Sequence, residues 1–107
     1  MRFEIVLAPQ AVEAFRALPS KQRAEVRDAL ETHLRHQPTQ TSRSRVKRLR
    51  GMAKPQFRLR VGGVRVFYDV SDETVEVLAI VAKSQAQEWL EEKGTPEPDG
   101  SAGQGEG

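Results

Sequence analysis

The sequence of 107 residues contains no cysteine, which excludes disulfide bonds and thiolate metal sites. His33 and His36 are its two histidines, so a histidine-rich metal centre is not expected either. No apolar run approaches the roughly 20 residues that span a bilayer. The first residues are interrupted too early by polar residues and proline to form a secretory signal. We therefore expect a cytoplasmic protein without a cofactor, a metal or a membrane association.

The sequence also lacks the motifs of the common catalytic sites. It has no glycine-rich phosphate loop of the GxxxxGKS type, no HExxH pair and no carboxylate pair that follows a predicted strand beside a histidine. Nucleotide hydrolysis on a phosphate loop, zinc proteolysis and cysteine nucleophilic catalysis are therefore excluded.

Acidic residues are missing from a third of the chain. Between residues 35 and 68 there are ten basic residues and no aspartate or glutamate, whereas residues 69–107 contain ten acids and two lysines. The net charge of +2 conceals this division. A concentrated basic segment indicates a site for a polyanion, because lysine and arginine displace the counterions of phosphates. The alternative is a solvated, charge-rich surface.

Hydrophobic periodicity predicts the order strand, helix, helix, strand, strand, strand, helix. The helices are predicted after Pro9, over 21–36 and over 83–93, and the strands over 3–7, 56–61, 64–70 and 74–82. This order is typical of an α+β fold, with a helical hairpin on one face of a small, mostly antiparallel four-stranded sheet and a short C-terminal helix. Residues 1–93 are expected to form one domain. Residues 94–107, rich in glycine, proline and glutamate, are expected to form a disordered tail.

Alternation in two strands places three arginines on one face of the sheet. Phe57 and Leu59 alternate with Arg58 and Arg60, and Arg65 alternates with apolar residues in the next strand. The apolar side chains are expected to face the helices, which leaves the arginines on an open, concave side. Arginine binds phosphate bidentately and keeps its charge. In RNA the 2′-hydroxyl is an internal nucleophile, so a cluster of cations is sufficient to stabilise the transition state of its cleavage.

Three stretches of the sequence resemble the RelE/ParE toxin superfamily. They are KRLRGM at 47–52, FRLRVGGVRVFYDV at 57–70 and VEVLAIV at 75–81, and the opening Ala8-Pro9 and Leu18-Pro19 also match. The resemblance spans approximately residues 3–90. It implies the toxin of a type II toxin–antitoxin pair, with a cognate antitoxin as partner. Members of the RelE branch cut mRNA on the ribosome, whereas members of the ParE branch inhibit DNA gyrase and cut nothing.

The resemblance also implies roles for individual residues. It favours a metal-independent endoribonuclease with Arg58, Arg65 and Lys83 as catalytic residues, acting on mRNA in the ribosome. Gln56 stands where the best-known members have lysine, and the C-terminal tyrosine expected in this branch is absent. The other basic residues expected at the RNA phosphates are Lys47, Arg48, Arg50, Lys54 and Arg60. A gyrase inhibitor and a non-cleaving RNA-binding relative are the alternatives.

Overall fold

The computed structural model describes residues 1–98 of the chain. Its main elements, in chain order, are β1 (Glu4–Leu7), α1 (Pro9–Ala17), α2 (Ser20–Ala29), β2 (Val46–Arg48), β3 (Met52–Lys54), β4 (Phe57–Val61), β5 (Val64–Val70), β6 (Thr74–Ala82), α3 (Ala86–Lys93) and β7 (Thr95–Pro96). A π-helical turn over Leu30–Leu34 extends α2, and a 3₁₀ turn over Lys83–Gln85 precedes α3. None of the described helices is long and apolar enough to cross a bilayer.

The two N-terminal helices form a tight hairpin around Leu18-Pro19. Pro9 stands in the first turn of α1, where its missing N–H costs no hydrogen bond. Arg23 of α2 donates from Nη1 to the carbonyl oxygens of Leu18 at 3.0 Å and Arg16 at 3.2 Å. This side chain therefore satisfies carbonyl groups at the end of α1, which the helix itself leaves without partners.

The main sheet has five strands in the order β1-β6-β5-β4-β2. The strand β1 runs parallel to β6, and the other neighbours are antiparallel. The α+β fold predicted from the sequence is confirmed. The predicted count of four strands was too low, because β2 pairs with β4 as an additional edge strand. A strand of three residues is too short to show an alternation of apolar and polar residues in the sequence.

The helical hairpin covers one face of the sheet, which we call the inner face. The largest residues buried there are Leu59, Val66 and Tyr68 of the central strands and Leu34 of the π-helical turn. The ring of Tyr68 stacks on Phe57 at a centroid distance of 5.4 Å, and its hydroxyl donates to the carbonyl oxygen of Pro38 at 2.7 Å. Tyr68 thus fastens the loop that follows the π-helical turn to the middle of the sheet.

The opposite face, the outer face, carries a second, smaller apolar cluster. Phe67 and Leu49 are buried beneath α3, and the rings of Phe67 and Trp89 stack 5.0 Å apart at an angle of 6°. The sequence predicted an open outer face, and this was wrong for the part that α3 covers. Phe67 alternates onto this face, and its burial requires the helix above it.

The end of the described chain lies along β3. Thr95–Pro96 pairs with β3 as a short antiparallel strand, and the N–H of Glu97 donates to the carbonyl oxygen of Gly51 at 2.9 Å. Residues 95–97 of the predicted disordered tail are thus held by backbone pairing, which composition alone does not reveal. Residues 99–107 lie outside the described residues, and their disorder stays a prediction.

Replacing Gly94 with alanine is expected to lower the free energy of unfolding by about 1–3 kcal/mol. A Cβ at this position would lie 2.6 Å from the carbonyl oxygen of Leu90 and would also meet the side chain of Met52. The backbone must shift to relieve this contact. Urea unfolding measures the effect, with Gly63→Ala as control, because a Cβ at Gly63 meets its nearest atom at 3.9 Å. Equal losses in both variants would contradict the proposed close approach.

Candidate nucleic-acid interface

Four cations lie together on the outer face because of the strand register. Lys47 of β2 is directly opposite Arg58 of β4, and Arg60 of β4 is directly opposite Arg65 of β5. Directly opposite residues of antiparallel strands point to the same face, and like charges in such pairs are destabilising. We call these four residues the cation row. Its placement opposes stability and therefore indicates a use other than folding.

Arg58 is the least satisfied member of the cation row. Its Nε is buried and has no hydrogen-bond partner among residues 1–98. Burial lowers the pKa of the guanidinium, and the charges of Arg60 and Arg65 lower it further. A buried donor without an acceptor costs about 1–3 kcal/mol. An anion bound beside the guanidinium would offset the repulsion from Arg60 and Arg65.

Arg65 is buried and rigidly placed, since only 6% of its surface is exposed. Its Nη1 donates to the carbonyl oxygens of Gly62 and Val64, each at 2.9 Å. Burial and then the charge of Arg60 lower its pKa. Gly62, with a φ of 54°, supplies the left-handed turn that presents one of these carbonyl groups.

Lys47 and Arg60 are the exposed members of the cation row. Neither forms an ion pair within residues 1–98. The ion pair found within residues 1–98 joins Arg35 to Glu31 and involves no member of the cation row. The guanidinium groups predicted to share the outer face therefore do so, and none is neutralised by a carboxylate of the described chain.

Lys83 follows the end of β6, beside the β4–β5 turn. Its N–H donates to the carbonyl oxygen of Gly63 at 2.8 Å, one step beyond the pair of Val64 and Ala82. Val81, two residues earlier, is the cross-strand partner of Arg65. Lys83 is exposed at the same end of the sheet as Arg65.

Three of the predicted phosphate-binding residues lie apart from the cation row. The guanidinium of Arg48 lies 5.4 Å over the ring of Phe57, and its Nη1 donates to the carbonyl oxygens of Leu49 and Gln56 at 3.1 and 2.8 Å. Arg50 and Lys54 are exposed around β3. Arg48 thus has partners of its own on the inner side of its strand, because alternation turns it away from Lys47.

Gln56 has a structural role at the position where lysine was expected. Its Oε1 accepts from the N–H of Val70 at 2.9 Å, and its own N–H donates to Oδ1 of Asp69 at 2.7 Å. Burial raises the pKa of Asp69, although the hydrogen bond from Gln56 opposes this shift. The pair closes the end of the sheet that is distant from Arg65.

A general base with an accessible, neutral side chain is missing from the cation row. Tyr68 lies on the inner face, where burial raises its pKa and its hydroxyl is already bonded to Pro38. His33 belongs to the π-helical turn, and burial followed by the charge of Arg45 lowers its pKa. Residues 1–98 also contain no group of three or more His, Cys, Asp or Glu side chains that could hold a metal ion.

The stack of Trp89 on Phe67 was not predicted as part of this face. The signal was present, because Ala86, Trp89 and Leu90 recur at helical spacing and Phe67 alternates with the apolar residues of the inner face. Only the tertiary structure shows that these two apolar surfaces cover each other beside Arg58.

Comparison with known proteins places the chain in a family. Residues 5–87 match the model of the family described as ParE toxin of type II toxin–antitoxin system, parDE. No curated protein matches the chain.

Solved structures show the same fold. A double mutant of Escherichia coli RelE in the free state is 26% identical, with a TM-score of 0.67. The match covers 86% of this chain and 94% of the RelE chain. The RelE–RelB complex of Pyrococcus horikoshii is 26% identical with a TM-score of 0.60, covering 79% and 99%. The RelBE2 complex of Mycobacterium tuberculosis is 22% identical with a TM-score of 0.62, covering 78% and 100%, and at this identity shows the fold alone.

The family match covers most of the chain, and the structure of Escherichia coli RelE has the same overall fold. This chain belongs to the ParE toxin family of type II toxin–antitoxin systems, within the RelE/ParE superfamily.

Proposed function

We propose that this toxin is a ribosome-dependent mRNA endonuclease that inhibits translation in the cytoplasm. The observation that carries the proposal is the cation row, a set of arginine and lysine donors on one face with no carboxylate partner within residues 1–98. A nonbridging oxygen of a phosphodiester is the acceptor that best fits such donors, because it is anionic and accepts from arginine in charge-assisted geometry.

The chemistry requires little from the protein beyond placement and charge. The RNA 2′-oxygen attacks the adjacent phosphorus, the bond to the 5′-oxygen breaks to leave a 2′,3′-cyclic phosphate, and the proton of the 2′-hydroxyl passes to a water molecule. Arg58 and Arg65 stabilise the negative charge that builds on the phosphoryl oxygens. Lys83, beyond the Arg65 end of the cation row, donates a proton to the leaving 5′-oxygen, which departs as a hydroxyl group. Alignment by the ribosome supplies the in-line geometry.

Incubation with programmed ribosomes tests the proposal directly. The purified toxin is expected to produce new mRNA 5′ ends at positions within the ribosomal decoding site. The same mRNA without ribosomes serves as control and is expected to remain intact. Intact mRNA on ribosomes after prolonged incubation would overturn the proposal.

A second candidate function is inhibition of DNA gyrase without cleavage. The family model that matches is that of ParE toxins, and the cation row lacks an evident general base. A supercoiling assay separates the two functions. Under the first proposal gyrase activity is expected to be unchanged by the toxin, whereas loss of supercoiling with intact mRNA would favour the second.

A cognate antitoxin is the proposed protein partner in either case. The RelE–RelB and RelBE2 structures are toxin–antitoxin complexes. The partner is expected to bring acidic residues, because cations without carboxylate partners line the outer face. The neighbouring reading frame is the first place to look for it.

Binding of single-stranded RNA by the free toxin is expected to weaken steeply with salt. Four phosphate contacts predict a slope of about −3 in a plot of log affinity against log salt, which is an approximately 50-fold loss between 50 and 200 mM. Fluorescence anisotropy with a labelled oligonucleotide measures this slope. Arg60→Ala is expected to reduce its magnitude by about 0.7. A flat salt response would contradict every proposal in which phosphate is bound.

A further inference from the structure

Two adjoining cavities lie beyond the end of the sheet, away from α3. One has a volume of about 420 Å³ and the other about 250 Å³. Both cavities are lined by Thr32, His33 and Arg45. His33 stands in the π-helical turn, and such turns are often found at functional sites. None of the three shared residues belongs to the cation row.

The two cavities differ in the chemistry of their linings. Glu25 and Asp28 of α2 line the larger cavity together with Arg45. The smaller cavity is lined by hydroxyl and amide side chains, including Ser42, Ser44 and Gln40, and by no carboxylate. The larger one therefore offers acceptors and a cation, whereas the smaller one offers donors that suit a phosphate or a ribose.

The charged side chains that line the larger cavity form no ion pair with one another. The guanidinium of Arg45 makes no hydrogen bond or ion pair within residues 1–98, although its backbone is fixed by Ser42 Oγ at 3.0 Å and by the N–H of Arg60 at 2.9 Å. The Oε1 of Glu25 lies 3.9 Å from the point that a Cβ on Gly62 would occupy. A ligand that satisfies both kinds of charged group must accept from a guanidinium and donate to a carboxylate.

We propose that these cavities form a subsite for a guanine nucleotide of RNA, with the base in the larger cavity and its phosphate and ribose in the smaller one. Guanine is the base that meets both requirements. Its O6 and N7 accept from arginine bidentately, and its N1–H and N2–H₂ groups donate together to a carboxylate. Uracil and cytosine lack the N7 acceptor, and adenine lacks the O6 acceptor.

The subsite adjoins the cation row through the β4–β5 turn. Gly62 lines the larger cavity and also accepts the hydrogen bond from Arg65. Arg45 and Arg60 are neighbours across β2 and β4. An RNA strand on the outer face thus reaches the subsite around the end of the sheet. Its use in choosing where mRNA is cut rests on the proposed function, whereas the binding of the nucleotide does not.

Titration of the full-length toxin with nucleoside 5′-monophosphates tests the binding. GMP is expected to shift the ring signals of His33 in the NMR spectrum and to bind at least about fivefold more tightly than AMP, CMP or UMP. His36, whose Nδ1 lies 3.2 Å from the carbonyl oxygen of Met1, is the internal reference and is expected not to shift. Asp28→Asn and Arg45→Ala are expected to abolish the preference for GMP. Arg43→Ala removes an exposed cation that lines neither cavity and is expected to preserve it.

Equal binding of all four nucleotides, or no shift of His33, would overturn the guanine subsite. Mapping of mRNA ends then separates this inference from the proposed function. Arg45→Ala is expected to continue cutting on ribosomes while losing any enrichment of guanine beside the cut. An inactive wild-type toxin that still prefers GMP would overturn the nuclease and leave the subsite standing, whereas an active toxin with an unchanged pattern in Arg45→Ala would overturn the subsite alone.

Discussion

Replacement of Arg58 by methionine is expected to slow ribosome-dependent mRNA cleavage by about 10²–10³-fold. The loss corresponds to one charged donor removed from a transition state that develops negative charge. Methionine retains most of the aliphatic stem and removes every donor. Single-turnover cleavage of mRNA on programmed ribosomes measures the rate.

The same variant is expected to be at least as thermally stable as the wild type. Burial and the neighbouring arginines lower the pKa of Arg58 in the folded state. A cation with a lowered folded-state pKa is disfavoured in its charged form, so this cost is fully present at neutral pH and disappears only as the pH rises through the lowered pKa. Removing the charge removes the cost and also the unsatisfied Nε.

Lys21→Met provides the matched control for this prediction, because Lys21 is exposed on α2, away from the cation row. It is expected to change neither the cleavage rate nor the melting temperature. If Arg58→Met cleaved mRNA at the wild-type rate, the scissile phosphate would have to be bound elsewhere. A variant that cleaves more slowly and also melts at a much lower temperature would show that Arg58 is a structural residue.

Replacement of Tyr68 by alanine is expected to lower the free energy of unfolding by about 3–5 kcal/mol. The side chain is completely buried, stacks on Phe57 and donates to Pro38. Since a domain of this size is stable by roughly 5–15 kcal/mol, such a loss removes much of the margin. Urea unfolding followed by circular dichroism measures it.

Tyr68→Phe separates the hydrogen bond from the packing. It is expected to cost about 1–2 kcal/mol, because the carbonyl oxygen of the buried Pro38 loses its donor while the stacking on Phe57 remains. A Tyr68→Ala variant within 1 kcal/mol of the wild type would contradict the role of this residue as the centre of the inner face.

The two faces of the central strands were predictable from the sequence because their cause is local. Alternation in β4 and β5 separates Arg58 and Arg60 from Leu59, and the Gly62-Gly63 turn fixes the register that brings Arg65 beside Arg60. A hairpin with a two-residue turn leaves little freedom in its register. The shared face of Arg58, Arg60 and Arg65 follows from that turn.

The remaining features depend on contacts between distant segments. The position of Arg48 over Phe57 follows from the pairing of β2 with β4, and the cover over Phe67 follows from the placement of α3. Whether the Nε of Arg58 has a hydrogen-bond partner depends on the atoms that surround it in the fold. Nothing in the order of residues shows which buried groups lack acceptors, so the roles of Arg58, Arg65 and Lys83 stay predictions until the variants are measured.

The parallel pairing of β1 with β6 determines when this protein becomes complete during its synthesis. Glu4 pairs with Thr74, and Leu7 pairs with Val77. The first strand of the nascent chain must therefore wait for about seventy later residues before it acquires its neighbour, and contacts of such sequence separation form slowly. The main sheet is therefore completed only after β6 has been synthesised, and until then β1 has no strand beside it.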